Sequence, residues 1–471
     1  MLLGMPTDLS SAFARLQALR WELMKEGPDQ RRARLKRFQR VFESHVPRLI
    51  EALQQDLDRH PQETLLAELT PLREEVAFAL RHVHSWMRPR RVGTPLTLFG
   101  THSSIRPEPK GAVLILAPWN YPVYLLLGPL VGALAAGNAV MLKPSEKAPA
   151  SERALVALIQ EAFPDGEAQI VTGGPEVATA LLELPWDHIF FTGSTRIGKL
   201  VMAAAAKHLS SVTLELGGKS PAVIGKGAHL PSAARRIAWG KWTNAGQTCV
   251  APDYVLVPES EAASFLEALK GEVQRVYGGN GAALDSPDYA SQIDDGGYAR
   301  QCALVDSALV AGATLVLGGQ RDPQRRRLAP TVLMGVPLEH PLMQEEIFGP
   351  VLPVVTYKDR NEALKILRDR DEPLASYFFC EAPEEEAWLQ ETRAGGTSIG
   401  QTLLHLANPH LPFGGRGPSG LGAYHGEQGF LTFSHARAVL RQGILEPVRL
   451  YQPPYGGKMK NLAFRILRWL A

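Results

Sequence analysis

The chain has 471 residues, 45% hydrophobic and 21% charged, a balance that excludes a disordered or fibrous protein and supplies material for a large core. At about 100 to 200 residues per domain, two or three domains are expected. Lys+Arg 50 against Asp+Glu 48 leaves a formal charge of +2, which argues against a nucleic acid or an acidic surface as partner.

The N-terminal stretch from residue 8 to about 88 reads as helices. Leu9, Phe13, Leu16 and Leu19 keep helical period, and Glu63 to Trp86 continues it with few breakers. Within it, Arg31 to Arg40 is the densest basic run. Leu35, Phe38 and Phe42 recur there at helical spacing, so one buried stripe and a solvated cationic face are expected. Short apolar runs then alternate with Ala- and Leu-rich stretches: GAVLILAP (111 to 118), NAVMLKP (138 to 144), AQIVTGG (168 to 174), HIFFTGS (188 to 194) and SVTLELGG (211 to 218). Strand alternating with helix predicts a parallel sheet covered on both faces. A second series, DYVLVP, ATLVLGG, VLPVVTY and LASYFFC, between residues 253 and 380, predicts a second α/β unit. Residues 408 to 424 are rich enough in Gly and Pro to be a crossing loop, and the tail 461 to 471, apolar with Arg465 and Arg468 interleaved, is expected to dock on the body of the protein or fray, a membrane surface being the alternative.

Three cysteines, Cys249, Cys302 and Cys380, lie far apart, a pattern that suggests neither a disulfide framework nor a paired-cysteine metal site and suits a reducing compartment. The N-terminus MLLGMPTDLS lacks the marks of a secretory signal, so a cytoplasmic location is expected. No run of about 18 uncharged apolar residues occurs, so no transmembrane anchor is expected.

Several turns carry chemistry. FTGSTRIGK, residues 191 to 199, places Gly193, Gly198 and Lys199 as in a phosphate loop of triphosphatases, but Leu200 stands where that loop needs a Ser or Thr for magnesium. What remains is a strand, a Gly193-Ser194 turn and a helix whose free N–H groups suit a pyrophosphate. Lys143 and Glu146 in LKPSE close another strand, where a ligand's ribose hydroxyls could bind or where the pair is simply an exposed charged turn. Cys249, in NAGQTCVAPD, sits in a polar turn, whereas Cys302 and Cys380 have apolar neighbours, so Cys249 is the candidate reactive thiol. Glu215 ends a run of apolar residues, where burial would raise its pKa toward that of a useful base; a strand-end Glu reaching solvent is the alternative. Asn120, in APWNYP, is an amide stiffened by prolines and suited to an oxyanion, though an Asn in a Pro-flanked turn is also commonplace.

Taken together, PWNYP, KPSE, FTGSTRIGK, LELGGKSP, GQTCVAPDYV, EEIFGPVLPV and PFGGRGPSGLG occur in the order found in the aldehyde dehydrogenase superfamily, which the chain resembles from its first helices to about residue 440. The separations agree, with Glu215 95 residues after Asn120 and Cys249 34 after Glu215. The ending HLPFGGRGPSGLGAYHGEQGFLTFSH most resembles the class 3 and fatty aldehyde dehydrogenase branch, from which it departs at Arg416 and Pro418 near the substrate side.

The resemblance implies an α/β fold with a Rossmann-like cofactor domain, an α/β catalytic domain and a small β bridging element that pairs subunits into a homodimer. The corresponding divisions are 1–88 with 108–214 for the NAD(P)-binding domain, 215–404 for the catalytic domain, 89–107 with 405–440 for the bridging element, and 441–471 for the tail. It also implies a mechanism for oxidising a medium-chain, fatty or aromatic aldehyde. The Cys249 thiolate attacks the aldehyde, Asn120 and the Cys249 N–H hold the oxyanion, and Glu215 activates the water that hydrolyses the thioester. Lys143 and Glu146 would contact the adenosine ribose, Gly193 and Ser194 the pyrophosphate, and Glu346 with Phe348 the nicotinamide ribose. NAD is expected as cofactor, with NADP an admissible alternative. The rivals are an acylating enzyme that passes the thioester to coenzyme A, which tends to lack a base such as Glu215, and a non-catalytic scaffold that retains the fold.

Overall fold

Buried apolar strands and one wholly apolar helix organise the chain, whose computed structural model describes residues 6–279, 281–446 and 452–470. Every residue of Ala112–Leu116, Ala139–Lys143 and His188–Thr192 is buried, as strands of a parallel sheet covered on both faces must be. The six-stranded first sheet runs Gly420–Leu421, Ser211–Glu215, His188–Thr192, Ala112–Leu116, Ala139–Lys143, Ala168–Ile170 across space. All its pairings are parallel except that of Gly420–Leu421 with the Glu215 strand.

The second sheet has seven strands, in the order Thr314–Leu317, Thr331–Met334, Val351–Tyr357, Tyr254–Pro258, Pro221–Ile224, Ala375–Phe379, Gly396–Ile399. Only the edge strand Thr314–Leu317 is antiparallel to its neighbour. One apolar core contains Ile115 and Phe190 of the first sheet together with Val255 and Tyr377 of the second.

A third, antiparallel sheet joins Arg90–Val92, Thr101–Pro109 and Ser434–Gln442, the last two matched over nine residue pairs. Residues 405–440 thus serve two sheets, Gly420–Leu421 the first and Ser434–Gln442 the third. The Gly- and Pro-rich stretch before them crosses from the second sheet to the first, closed by paired Phe413 and Tyr424.

Helices Pro6–Lys25, Pro28–Leu57 and Thr70–Trp86 precede the sheets, and Leu35, Phe38 and Phe42 are fully buried, as their spacing predicts. The cationic face of the second of these helices is solvated at Arg32, Lys36 and Arg40 as predicted, but two of its arginines depart from the prediction. Arg31 and Arg34 are only 4% and 6% exposed. Arg31 Nη1 donates to the carbonyls of Ala135 (3.2 Å) and Ala136 (2.5 Å), while Arg34 pairs with Glu26 and Glu167. The cause is the helix Tyr124–Ala136, buried except at its first residue. An apolar helix inside a protein cannot satisfy its own last carbonyls, and a neighbouring arginine does so while favouring the negative end of the dipole.

Near the end of the chain, Lys458–Leu470 forms a helix with Met459, Leu462 and Phe464 exposed. Among the described residues no helix is long and apolar enough to cross a membrane.

Candidate active site

In the first sheet the central strand Ala112–Leu116 has the next strand on one side and His188–Thr192 on the other, so the strand order reverses there. Open α/β sheets bind ligands in the crevice outside the carboxyl ends at such a point. Asn120, Lys143 with Glu146, and Gly193 with Ser194 all follow those ends. Ser194 Oγ accepts the Ile197 N–H at 3.4 Å and starts the helix Thr195–Ala206, whose free N–H groups and positive dipole end suit an anion. Lys143 Nζ is buried and reaches Glu146 Oε2 at 3.1 Å, leaving that carboxylate partly exposed at the crevice rim.

The thiol is presented by a constrained loop. After helix Leu230–Trp242, Asn244 and Ala245 adopt left-handed φ of 53° and 50°. A Cβ on Gly246, at φ 77°, would stand 2.1 Å from the Gly349 carbonyl oxygen, so only glycine lets the loop press on the EEIFGP segment. Gln247, fully buried, donates to the carbonyls of Asn244 and Ser291 at 3.0 Å and accepts the Ile293 N–H at 3.0 Å. Thr248 Oγ1 shares a 2.6 Å hydrogen bond with Tyr121. Five fixed residues, Asn244 to Thr248, therefore precede Cys249.

Exposure does not distinguish Cys249, and this corrects the contrast drawn from neighbouring residues: all three cysteines are free and partly exposed. What distinguishes it is its company. Burial, with the carboxyls of Glu346 and Glu215 nearby, pushes the Cys249 thiol well above its usual pKa, while the Cys249 and Val250 N–H groups act in the opposite sense. Cys380, by comparison, is held at about 11 by burial and three glutamates of its own surface.

Asn120 is buried and its amide nitrogen donates to the Gln247 carbonyl at 3.0 Å, tying the PWNYP turn to the thiol loop. That bond uses one of two N–H groups and leaves the second for a ligand oxygen. The Asn120 carbonyl accepts from Arg59 Nη2 and from Asn244 Nδ2. Arg59, with no exposed surface, also donates to Asn244 Oδ1 at 3.2 Å and to Glu68 Oε1 at 2.5 Å. Glu68, in the five-residue π turn Leu65–Leu69, accepts the N–H groups of Val123 and Tyr124 and so caps the apolar helix.

Glu215 ends its strand 2% exposed, and neither carboxyl oxygen has a partner. Burial alone raises its pKa well above the carboxylate range. Thr192, its register partner on the neighbouring strand, also has a buried hydroxyl without a partner. Glu346 has one buried unpartnered oxygen and lies over the turn after Glu215, so close that a Cβ on Gly217 would meet it at 2.0 Å. Burial raises its pKa to about 8. Phe348, at φ 52°, meets Trp119 edge to face with ring centroids 5.4 Å apart. Behind them Lys219 Nζ pairs with Asp253 Oδ2 at 2.5 Å, and Asp253 accepts the Ile347 N–H at 3.1 Å, pinning the EEIFGP segment. Unpartnered buried oxygens beside a helix N-terminus and a Lys–Glu pair fit a ligand carrying both phosphates and hydroxyls.

The structure sets Glu346 and Glu215 near Cys249, ties Asn120 to the thiol loop and Gly193 N–H to the Glu215 carbonyl, and pairs Lys143 with Glu146 at the carboxyl end of a nearby strand. Sequence reasoning missed Arg59, Glu68, Gln247 and the Lys219–Asp253 pair. Their signal is faint: Arg59 and Glu68 read as ordinary charges on helical residues, and only their burial marks them.

Two parallel sheets, a switch-point crevice, and a thiol beside a buried carboxyl and an amide are the architecture of a nucleotide-dependent α/β dehydrogenase. The chain belongs to the aldehyde dehydrogenase family, whose pattern matches residues 6–439. It is 42% identical over 463 residues to the probable coniferyl aldehyde dehydrogenase of Pseudomonas aeruginosa, covering 98% of this chain and 96% of that protein. It is 40% identical over 439 residues to aldehyde dehydrogenase family 3 member H1 of Arabidopsis thaliana, covering 93% and 90% respectively. Among solved structures, a substrate-bound state of Staphylococcus aureus AldH superposes with a TM-score of 0.92 at 39% identity, covering 97% of this chain and 99% of that one. An indole-3-acetaldehyde dehydrogenase in complex with NAD+ superposes at 0.84 with 26% identity, covering 93% and 89%. The family and branch expected from the motifs are therefore those found, and the chain is an aldehyde dehydrogenase.

Proposed function

We propose that the chain oxidises a medium-chain, fatty or aromatic aldehyde to its carboxylic acid, with NAD as oxidant and NADP as an admissible second, through a thioester on Cys249. The observation that carries this is Glu215, a buried carboxyl with two unpartnered oxygens beside the thiol.

Cys249 Sγ attacks the aldehyde carbon as its proton passes to solvent water, burial beside Glu346 and Glu215 having raised the thiol's pKa. The second amide N–H of Asn120 and the Cys249 N–H receive the oxyanion, and each such donor is worth about 3 kcal/mol in the transition state. A dinucleotide held there would accept the hydride of the aldehyde carbon, the two-electron oxidation that leaves a thioester on Cys249. Glu215, whose burial gives it the basicity the task needs, then takes a proton from the attacking water, and Cys249 leaves as the acid forms. Lys143 and Glu146 would hold the adenosine ribose, Gly193 and Ser194 the pyrophosphate, and Glu346 with Phe348 the nicotinamide ribose. The NAD+ complex of the indole-3-acetaldehyde dehydrogenase supports the choice of dinucleotide, and the coniferyl relative supports an aromatic substrate.

On this reading residues 1–88 with 108–214 bind the cofactor, 215–404 carry the catalytic domain, 89–107 with 405–440 bridge two subunits of a homodimer, and 441–471 form the tail. The long, exposed edge strand Ser434–Gln442 supports the pairing of subunits, and three free cysteines support a reducing, cytoplasmic setting. The test is a panel of aliphatic aldehydes of increasing length beside aromatic ones, run with NAD and NADP, with the product analysed. Free acid supports the proposal; acyl-coenzyme A as the only product would overturn it.

A further inference from the structure

The helix Lys458–Leu470, KMKNLAFRILRWL, takes no part in the crevice. Its sequence contains Lys458, Lys460, Arg465 and Arg468 and no acidic residue. Met459, Leu462, Ile466 and Trp469 recur at three- and four-residue intervals and so share one face in the sequence pattern, while Asn461, Arg465 and Arg468 share the adjoining one. At 13 residues it spans about 20 Å, less than the roughly 30 Å of a bilayer's apolar interior, so it is built to lie along a surface and not to cross one.

The two described side chains of that face stand out into solvent. Met459 is 75% exposed and Leu462 59%. Lys460 Nζ bonds only to the carbonyls of Gln452 and Pro454, within the tail itself, and among the described residues Lys458, Arg465 and Arg468 form no ion pair. Tyr455, also exposed, sets its ring against Phe464 with centroids 6.2 Å apart.

We propose that this helix docks the enzyme on an anionic lipid surface, its apolar face entering the headgroup boundary and its cations meeting the phosphates. Charge decides between occupants. A second copy of the helix would bring four cations against four, and an apolar groove on a protein would leave the flanking cations without partners. A bilayer rich in anionic headgroups satisfies both faces at once. The placement also suits the proposed substrate class, because long-chain aldehydes partition into bilayers, although the docking itself does not depend on that reading.

The test is co-sedimentation of the full chain with vesicles of phosphatidylcholine alone and of phosphatidylcholine with phosphatidylglycerol. Binding is expected to the second and little to the first, and to weaken as salt is raised. Each cation near an anionic surface is worth about fivefold in partitioning, so Arg465→Glu with Arg468→Glu should lower it at least about thirtyfold. Leu462→Asp should lower it as well, and both variants should oxidise a short, water-soluble aldehyde at the parental rate. Equal sedimentation with both vesicle types, or partitioning unchanged in the variants, would overturn the proposal. So would strong hydrogen-exchange protection of the helix without lipid, which would put a protein surface against it. Loss of binding in the variants with activity intact separates this inference from the proposed chemistry.

Discussion

Arg59 and Glu68 form an ion pair with neither side chain in contact with solvent, Nη1 to Oε1 2.5 Å, and through it two distant parts of the site share one anchor. The remaining guanidinium N–H groups hold the Asn120 carbonyl and Asn244 Oδ1, so the oxyanion amide and the thiol loop rest on the same plane. Removing one partner of a buried pair leaves the other charge uncompensated, which costs about 3 to 5 kcal/mol. Arg59→Ala should lose stability on that scale in denaturant unfolding. Arg59→Lys keeps the charge but not the planar fork, so it should fold and show reduced kcat with a smaller change in KM for the aldehyde.

Glu215→Gln keeps the shape of the carboxyl and removes its basicity. Pre-steady-state mixing should show a burst of reduced dinucleotide close to one per site, followed by turnover slowed about 10²- to 10⁴-fold. Normal steady-state turnover would remove Glu215 from the mechanism.

Glu75, buried at the Gly426 N–H, has its pKa raised from 4.5 to about 7, with burial as the main cause. A carboxyl whose pKa rises on folding binds its proton more tightly in the folded chain. Its stabilising contribution is therefore complete below pH 4.5, declines as pH rises, and is lost above about 7, a total of about 3 kcal/mol. Glu75→Gln should flatten the pH dependence of thermal unfolding in that window and be the more stable form at pH 8. A variant with the parental slope would contradict this.

Glu146 stands 40% exposed at the rim, 3.1 Å from Lys143. If it faces the ribose 2′-hydroxyl, it repels the extra phosphate of NADP. Glu146→Gln should raise the ratio of kcat/KM for NADP over NAD by about tenfold, the scale of one like-charge contact removed near a protein surface. An unchanged ratio would place cofactor discrimination elsewhere.

Much of the frame was legible from residues alone. The runs around Ile115, Val140, Phe190 and Leu214 fall on strands because continuous apolar stretches bounded by Gly and Pro have few other ways to bury themselves. Pro221–Ile224 and Gly396–Ile399 escaped notice: each is four residues long, one opening on a proline and the other on a glycine, so neither shows a period. Arg31 and Arg34 look like solvated charges until the buried helix end they serve is known. The same holds for Arg59 and Glu68, whose partners lie on loops far along the chain. Local pattern reports which face is apolar; it does not report which charge a distant backbone group requires.

The central claim is that Cys249 carries the acyl group and Glu215 releases it. It is tested most directly by intact-mass and peptide analysis of Glu215→Gln mixed with an aldehyde and NAD. The account predicts one acyl adduct per chain, located on Cys249 and absent from a Cys249→Ala, Glu215→Gln double variant. No adduct, or one on Cys302 or Cys380, would contradict it.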